Sequence, residues 1–167
     1  PEFDKYPGWA KMTGEMLIEA MRIQYPKGTK YVIVRPANVY GRFDDYNNTS
    51  ERAMVVPTLI SNALKGSLEL WGEGDTIRDF INAKDVASGM IKAMEEMPQY
   101  PVRLCSAEDI SIKYLTELVS KYTQTPIKQI PITNQFLGEK RRVMERNWDN
   151  PLNIKFEDGI REVIYYV

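Results

Sequence analysis

The sequence predicts an α/β fold, on three observations. Segments with helical periodicity alternate with short β-branched runs; those runs lack polar alternation, as strands covered on both faces do; and Asn, Asp, Gly and Pro punctuate the joins. Trp9, Met12, Met16, Ala20 and Ile23 recur at steps of three and four, which predicts a helix to Gln24 with one apolar face and Pro7 in its first turn. After the turn Pro26-Lys27-Gly28, the run Tyr31-Val32-Ile33-Val34 predicts a buried strand. Residues 36–54 have no period and are rich in Asn, Asp, Gly and Ser, so they are expected to form a long loop of the kind that carries function. A helix is expected over 56–64. Strands are expected at 68–71 and 77–81, joined by Gly72-Glu73-Gly74-Asp75 as a hairpin turn. Asp85 is expected to start a helix striped by Val86, Met90, Ala93 and Met97, and a buried strand follows at 102–105. Ser111 is a candidate cap for a helix carrying Leu115, Leu118, Val119 and Tyr122. The last helix opens on the acids Glu157 and Asp158 and buries Ile160, Val163 and Ile164.

Composition narrows the function classes. At 167 residues, 43% hydrophobic and 27% charged, the chain has the make-up of one ordinary folded domain rather than of a disordered or fibrous one. Lys and Arg total 22 against 23 Asp and Glu, so no global positive field draws it to nucleic acid or to an anionic membrane, and any anion site must be local. There is no histidine, which removes His-based triads and zinc clusters, and no metal is expected. With Cys105 alone and no long apolar run, the expected location is the cytoplasm. The chain opens Pro1-Glu2-Phe3, without Met, close to a strongly patterned helix, and is expected to be a fragment.

Five segments then occur in a telling order. They are Tyr6-Pro7-Gly8-Trp9-Ala10-Lys11-Met12-Thr13-Gly14-Glu15, Arg35-Pro36-Ala37-Asn38-Val39-Tyr40-Gly41, Leu70-Trp71-Gly72-Glu73-Gly74, Arg78-Asp79-Phe80-Ile81 and Glu157-Asp158-Gly159-Ile160-Arg161-Glu162. Together they resemble the extended short-chain dehydrogenase/reductases. Within these, the chain is similar to the NAD-dependent nucleotide-sugar epimerase/dehydratase group that includes GDP-fucose synthase and dTDP-glucose dehydratase. No GxxGxxG loop is present, so the resemblance is to the C-terminal half of such an enzyme. It implies a Rossmann-like sheet remnant plus a small α+β substrate-binding lobe. Residues 1–54 would be the remnant of the dinucleotide-binding domain. Residues 55–167 would be mostly the lobe, with 76–105 returning to the sheet.

The resemblance also implies the chemistry. In this family a tyrosine moves a proton to or from a sugar hydroxyl while hydride passes to or from NAD or NADP. A phenol with a pKa near ~10 needs a cation close by to serve at neutral pH. Lys11 would be that cation and would also hold the nicotinamide ribose, with Tyr6 as the tyrosine. The family spacing is Tyr-x-x-x-Lys, whereas four residues before Lys11 stands Pro7 and Tyr6 is one further away, so a non-helical Tyr6 swung back by Pro7 would be required. Spacing alone also allows Lys11 to pair with Glu15 on a solvated face. Pro36 and Ala37 would lie beside the nicotinamide and Asn38 against the substrate sugar or phosphate, the rival role for Asn38 being to satisfy loop backbone. Arg78 and Arg142 would grip the substrate pyrophosphate, although Lys140, Arg141, Arg142 and Arg146 also read as a solvated basic run. Leu70 and Trp71 would flank the nucleobase, the alternative being core positions. The implied enzyme is an epimerase, dehydratase or reductase, inactive in this half alone and paired as a homodimer through helix 7–24. The rival is a non-catalytic sugar-nucleotide-binding or partner-binding module of the same fold.

Overall fold

The computed structural model describes residues 5–47, 54–132 and 139–167; the opening Pro1-Glu2-Phe3 and part of the long loop, 48–53, lie outside the described residues. The described residues form five helices interspersed with nine short strands. They are α1 (Lys5–Gln24), β1 (Val34–Pro36), β2 (Asn38–Tyr40), α2 (Val55–Leu64), β3 (Leu68–Trp71), β4 (Ile77–Arg78), β5 (Phe80–Asn82), α3 (Ala83–Glu96), β6 (Val102–Leu104), β7 (Ile110–Ser111), α4 (Ile112–Thr123), β8 (Ile127–Ile130), β9 (Arg141–Arg142) and α5 (Phe156–Tyr166). The α/β class expected from the sequence is what the chain adopts. β1 pairs with β6, β2 with β5 and β3 with β8, all parallel, and β4 lies between β7 (antiparallel) and β9 (parallel).

Two apolar cores hold these elements, and the β2–β5 pair is the wall between them. Successive strand residues point to opposite faces. Phe80 therefore enters a core built from α2, α4 and α5, while Ile81 enters a second core with Ala93, Val102 and Leu104. Tyr40 and Val39 divide in the same way. Phe156 stacks on Phe80 with ring centroids 5.4 Å apart and meets Tyr40 edge-on at 5.6 Å. The Tyr40 hydroxyl donates to the Phe156 carbonyl at 3.5 Å, and burial pushes its phenol above the usual value.

Local chemistry accounts for the helix ends. Ser111 caps α4 by accepting from the Tyr114 N–H at 3.0 Å, and the expected Leu115, Leu118 and Val119 are buried. α3 begins at Ala83 rather than Asp85 because Asn82 supplies the cap, accepting from Lys84 N–H at 2.9 Å. Asp85 instead turns inward and accepts the Asn153 and Ile154 N–H groups at 3.0 and 3.2 Å, which pins the segment before α5. The buried face of α3 is thus Asp85, Gly89 and Ala93, and the expected Met90 is exposed.

Three further expectations need correction. The first strand lies at 34–36 rather than 31–34 and has no buried residue, Val34 being half-buried and Arg35 and Pro36 exposed, and β2 interrupts the expected loop. Gly72-Glu73-Gly74-Asp75 is a turn but closes no hairpin, because β3 and β4 lie in different sheets. Gly72 and Gly74 both have left-handed backbone (φ 64° and 65°). The Gly72 N–H extends the β3–β8 ladder to Ile130, and the Gly74 carbonyl accepts from Lys113, so neither group is offered to β4. Finally, Trp9, Met12, Met16, Ala20 and Ile23 on α1 are all exposed. Among the described side chains of α1 only Gly8, Glu15, Ile18 and Arg22 are half-buried, and Met12, Met16, Ala20 and Ile23 line an open cavity with Ile33, Tyr100 and Pro101 rather than packing into a core. α1 is fastened instead by polar contacts. Arg35 donates to both carboxylate oxygens of Glu15, at 2.8 and 2.5 Å, and Arg22 reaches the Tyr31 carbonyl.

Two glycines give opposite expectations. Alanine normally favours a helix over glycine by about 1 kcal/mol. A Cβ at Gly14 meets nothing within 4 Å, so Gly14→Ala is expected to raise the thermal midpoint. A Cβ at Gly159 would stand 2.1 Å from the Tyr40 hydroxyl oxygen, so Gly159→Ala should lower it, overpacking costing about 1–3 kcal/mol. The Glu15–Arg35 pair sets a pH dependence. Its hydrogen bond from Arg35 holds the Glu15 carboxyl below its ordinary value. The α1 tether is therefore complete above the ordinary glutamate range and lost as pH falls through the lowered value. Hydrogen-exchange protection of α1 should fall over that acid range in the native chain, and the step should vanish in Glu15→Gln.

Candidate functional site

Of the candidate residues, Pro36 and Trp71 end parallel strands and Ala37 and Asn38 follow at once after Pro36, the place where α/β sheets present ligand-binding loops. β1 ends at Pro36, and the Ala37 N–H donates to the Leu104 carbonyl at 2.9 Å. Pro36 has no N–H and Ala37 has spent its own, so this turn offers a donor-free surface suited to the face of a flat ring. Asn38 opens β2. Both its backbone N–H and its side-chain Nδ2 donate to the Asp79 carbonyl, at 3.1 and 2.7 Å. The backbone-satisfying role weighed for Asn38 is therefore real. It also leaves Oδ1 as the atom the side chain can turn to a ligand, an acceptor that matches a hydroxyl donor better than a phosphate oxygen.

The basic residues are drawn together by strand pairing. β4 and β9 place Arg78 opposite Arg142, so the two guanidinium side chains leave the same face of the sheet. Desolvation, and then repulsion from Arg142, lowers the Arg78 pKa. Arg78 is steadied by donating to the Ile77 and Glu139 carbonyls at 2.7 and 2.9 Å, and Arg142 pairs with the Glu139 carboxylate at 3.0 Å. The rest of the basic run is partly spent: Lys140 binds Asp75 at 2.8 Å and Arg141 forks onto Asp109 at 2.9 and 2.8 Å. Leu70 is turned inward at 4% exposure, while Trp71 at the end of β3 is 60% exposed. Of the two nucleobase candidates only Trp71 presents surface.

Tyr6 and Lys11 are not brought together. α1 starts at Lys5, so Tyr6 is already helical, and the non-helical swing that its spacing required does not occur. Pro7 is tolerated there because a first-turn residue has no intrahelical acceptor for its N–H. Five helical steps put the two side chains about 140° apart around the axis. Tyr6 is 86% exposed, and Lys11 has no ion-pair partner among the described residues. The Lys11–Glu15 pair does not form, because Glu15 is taken by Arg35.

The residue that sequence reasoning passed over is Asp79, read only as part of the Arg78-Asp79-Phe80 motif. It is 1% exposed. Its Oδ1 accepts from Ser106 N–H and Oγ–H at 3.0 and 2.7 Å, and its Oδ2 from Ala107 and Met144 N–H at 3.2 and 3.4 Å. The signal available beforehand was an acid at the centre of an expected strand, flanked by Ile77, Phe80 and Ile81; where such a strand is buried, a carboxylate is kept only when well bonded.

A dinucleotide fits these residues at one end only. The ring-facing turn at Pro36-Ala37 and the unpaired Lys11 ammonium suit the nicotinamide riboside, whereas the sequence supplies no glycine loop for the pyrophosphate. Among the described residues no helix is long and apolar enough to cross a membrane, and no cluster of His, Cys, Asp or Glu is placed to hold a metal ion.

Comparison with known proteins fits this geometry. A dTDP-4-dehydro-6-deoxy-D-allose reductase of Streptomyces bikiniensis is 33% identical over 111 residues, which is 66% of this chain and 33% of the reductase. A probable GDP-L-fucose synthase of Oryza sativa subsp. japonica is 29% identical over 145 residues, 81% of this chain and 42% of the synthase. The crystal structure of UDP-glucose 4-epimerase from Thermotoga maritima, with UDP-glucose, aligns with a TM-score of 0.83 over 95% of this chain and 52% of that one. At 23% identity it establishes the shared fold. The chain spans about a third to a half of the length of the curated relatives it matches. The NAD dependent epimerase/dehydratase family model matches residues 7–102, more than half of the sequence, and the chain belongs to that family.

Proposed function

We propose that the chain is the substrate-binding half, with the catalytic helix, of an NAD- or NADP-dependent nucleotide-sugar epimerase, dehydratase or reductase, and that it is inactive alone. Residues 1–54 contribute to the dinucleotide-binding domain and 55–167 form mostly the substrate lobe, with 76–105 returning to the sheet. The observation that carries this reading is the Arg78–Arg142 pairing across β4 and β9. The two like charges stand side by side, one with a lowered pKa, and share the single carboxylate of Glu139, which leaves net positive charge for a diphosphate, an anion that arginine grips in a fork. Asn38 Oδ1 accepts from a sugar hydroxyl, and Trp71 offers its face to the nucleobase, with Leu70 interior.

Nicotinamide, when bound, supplies the acceptor or donor of hydride at the sugar ring. The chain's own part is to bind and orient. Lys11 donates to the nicotinamide ribose, and Pro36 and Ala37 bound the ring without competing hydrogen bonds. In this reading Tyr6 is the acid/base, but the 140° offset argues that Lys11 does not stabilise its phenolate from α1 as it stands. That offset favours the second reading, a module that binds a sugar nucleotide without turning it over. The exposed stripe Trp9, Met12, Met16 and Ile23 supports a homodimer contact through helix 7–24.

Calorimetric titration with UDP-, GDP- and dTDP-sugars, and separately with NAD and NADP, is the test. One sugar nucleotide should bind in the absence of cofactor. Arg142→Ala should weaken it about ten- to a hundred-fold, the scale of a lost charge-assisted bond. No binding of any sugar nucleotide would refute the site. Sedimentation is expected to give a species larger than the monomer, and a strictly monomeric chain would remove the dimer.

A further inference from the structure

Resting on that reading of the two arginines, we propose that Asp79 is the positioning residue of the anion site, holding Arg142 beside Arg78 against their mutual repulsion. The β4–β9 pair is only two residues long on each side. Its backbone bonds are Ile77 N–H to the Lys140 carbonyl at 2.8 Å and Asp79 N–H to the Arg142 carbonyl at 3.3 Å. A ladder this short, with two guanidiniums facing each other, is weak by itself. The Asp79 side chain adds a third tie on the far side of Arg142, through Met144 N–H. Its Oδ1 is meanwhile anchored on Ser106 and its Oδ2 on Ala107, and Ala107 is held in left-handed backbone (φ 60°).

The arrangement uses one residue, through its backbone and its carboxylate together, to tie the candidate arginines and Asn38 to the rest of the chain. Arg78 precedes it in the chain, Arg142 binds its N–H, Asn38 binds its carbonyl, and the 106–107 turn and Met144 bind its oxygens. No cation neutralises it among the described residues; backbone N–H groups and one hydroxyl do. Such donors are fixed by the chain, so the carboxylate sets backbone position instead of following a mobile side chain. Asp79 touches no ligand in this scheme. It acts through Arg142.

The test is a mutant cycle on this chain, titrated calorimetrically with UDP and with GDP, with thermal melting as the check on folding. Asp79→Asn keeps the shape but turns an amide N–H₂ toward two N–H donors. It should weaken the diphosphate that binds about ten-fold, on the scale of bonds to a charged group. In the Arg142→Ala background the same change should cost less than about two-fold, because residues that act through one another are not additive. A residue with a merely structural role would cost the same in both backgrounds, and that result, or no loss at all, overturns the proposal. Ser106→Ala removes the hydroxyl donor to Asp79, and with it the acceptor of the Glu108 N–H, and leaves every backbone–backbone bond in place. It is made in parallel and decides the matter if Asp79→Asn does not melt cooperatively. It should weaken binding in the native background only; an equal loss in both, or none, overturns the proposal. If the native chain binds neither UDP nor GDP, or if Arg142→Ala changes nothing, the reading of the arginines falls, and this inference with it. If Arg142→Ala weakens binding and neither Asp79→Asn nor Ser106→Ala does, the inference alone falls.

Discussion

The buried Asp79 carboxylate, with the β2–β5 wall beside it, is the constraint on which the rest of the arrangement depends. Moving an anion out of water costs several kcal/mol unless its oxygens are met. Here four donors from two chain segments meet them. Next to it in sequence, Phe80 and Ile81 divide between two cores, so the strand cannot slide by one residue without exchanging both packings. Register and polar satisfaction thus specify the same geometry. Pro36, Asn38, Arg78 and Arg142 inherit their positions from it.

Much of the fold was legible where local signals and packing agree. Ser111 sits before a helical period and caps it; α5 begins with its acids in the first turn and buries Ile160, Val163 and Ile164; α2 and β3 fall within a residue of expectation. Where local and non-local signals compete, the non-local ones win. Gly72 and Gly74 turn the chain as glycines do, yet the partner of β3 is β8, far along the sequence, and no turn rule carries that information. Asn82 outcompetes Asp85 as the cap because the Asp85 carboxylate is drawn to two N–H groups from the segment before α5.

The candidate site was legible to a different degree at each residue. Arg78 was named from an ordered set of motifs and Arg142 from a basic run that the resemblance assigns to the substrate, and strand register sets them side by side. Asn38 was named as a ligand contact, but which of its amide atoms faces outward depends on a carbonyl supplied by Asp79. Leu70 and Trp71 are adjacent in a strand, and the period of two sends one inward and leaves the other exposed. The α1 stripe shows the limit of periodicity. It identifies which side of a helix is apolar, and nothing in it says whether the surface it faces belongs to the same stretch of chain.

Among the described residues no strand pairs with its neighbour in sequence: β1 waits for β6, β2 for β5, β3 for β8, and β4 for β7 and β9. Each pairing closes a long stretch of chain before any ladder energy is gained, so the entropic cost comes early and the return late. Such a topology folds slowly, with unpaired strand edges and the α1 stripe open together while the central wall assembles. The exposure of those edges during assembly, as well as the strength of the finished cores, then bears on how much of it reaches the native state.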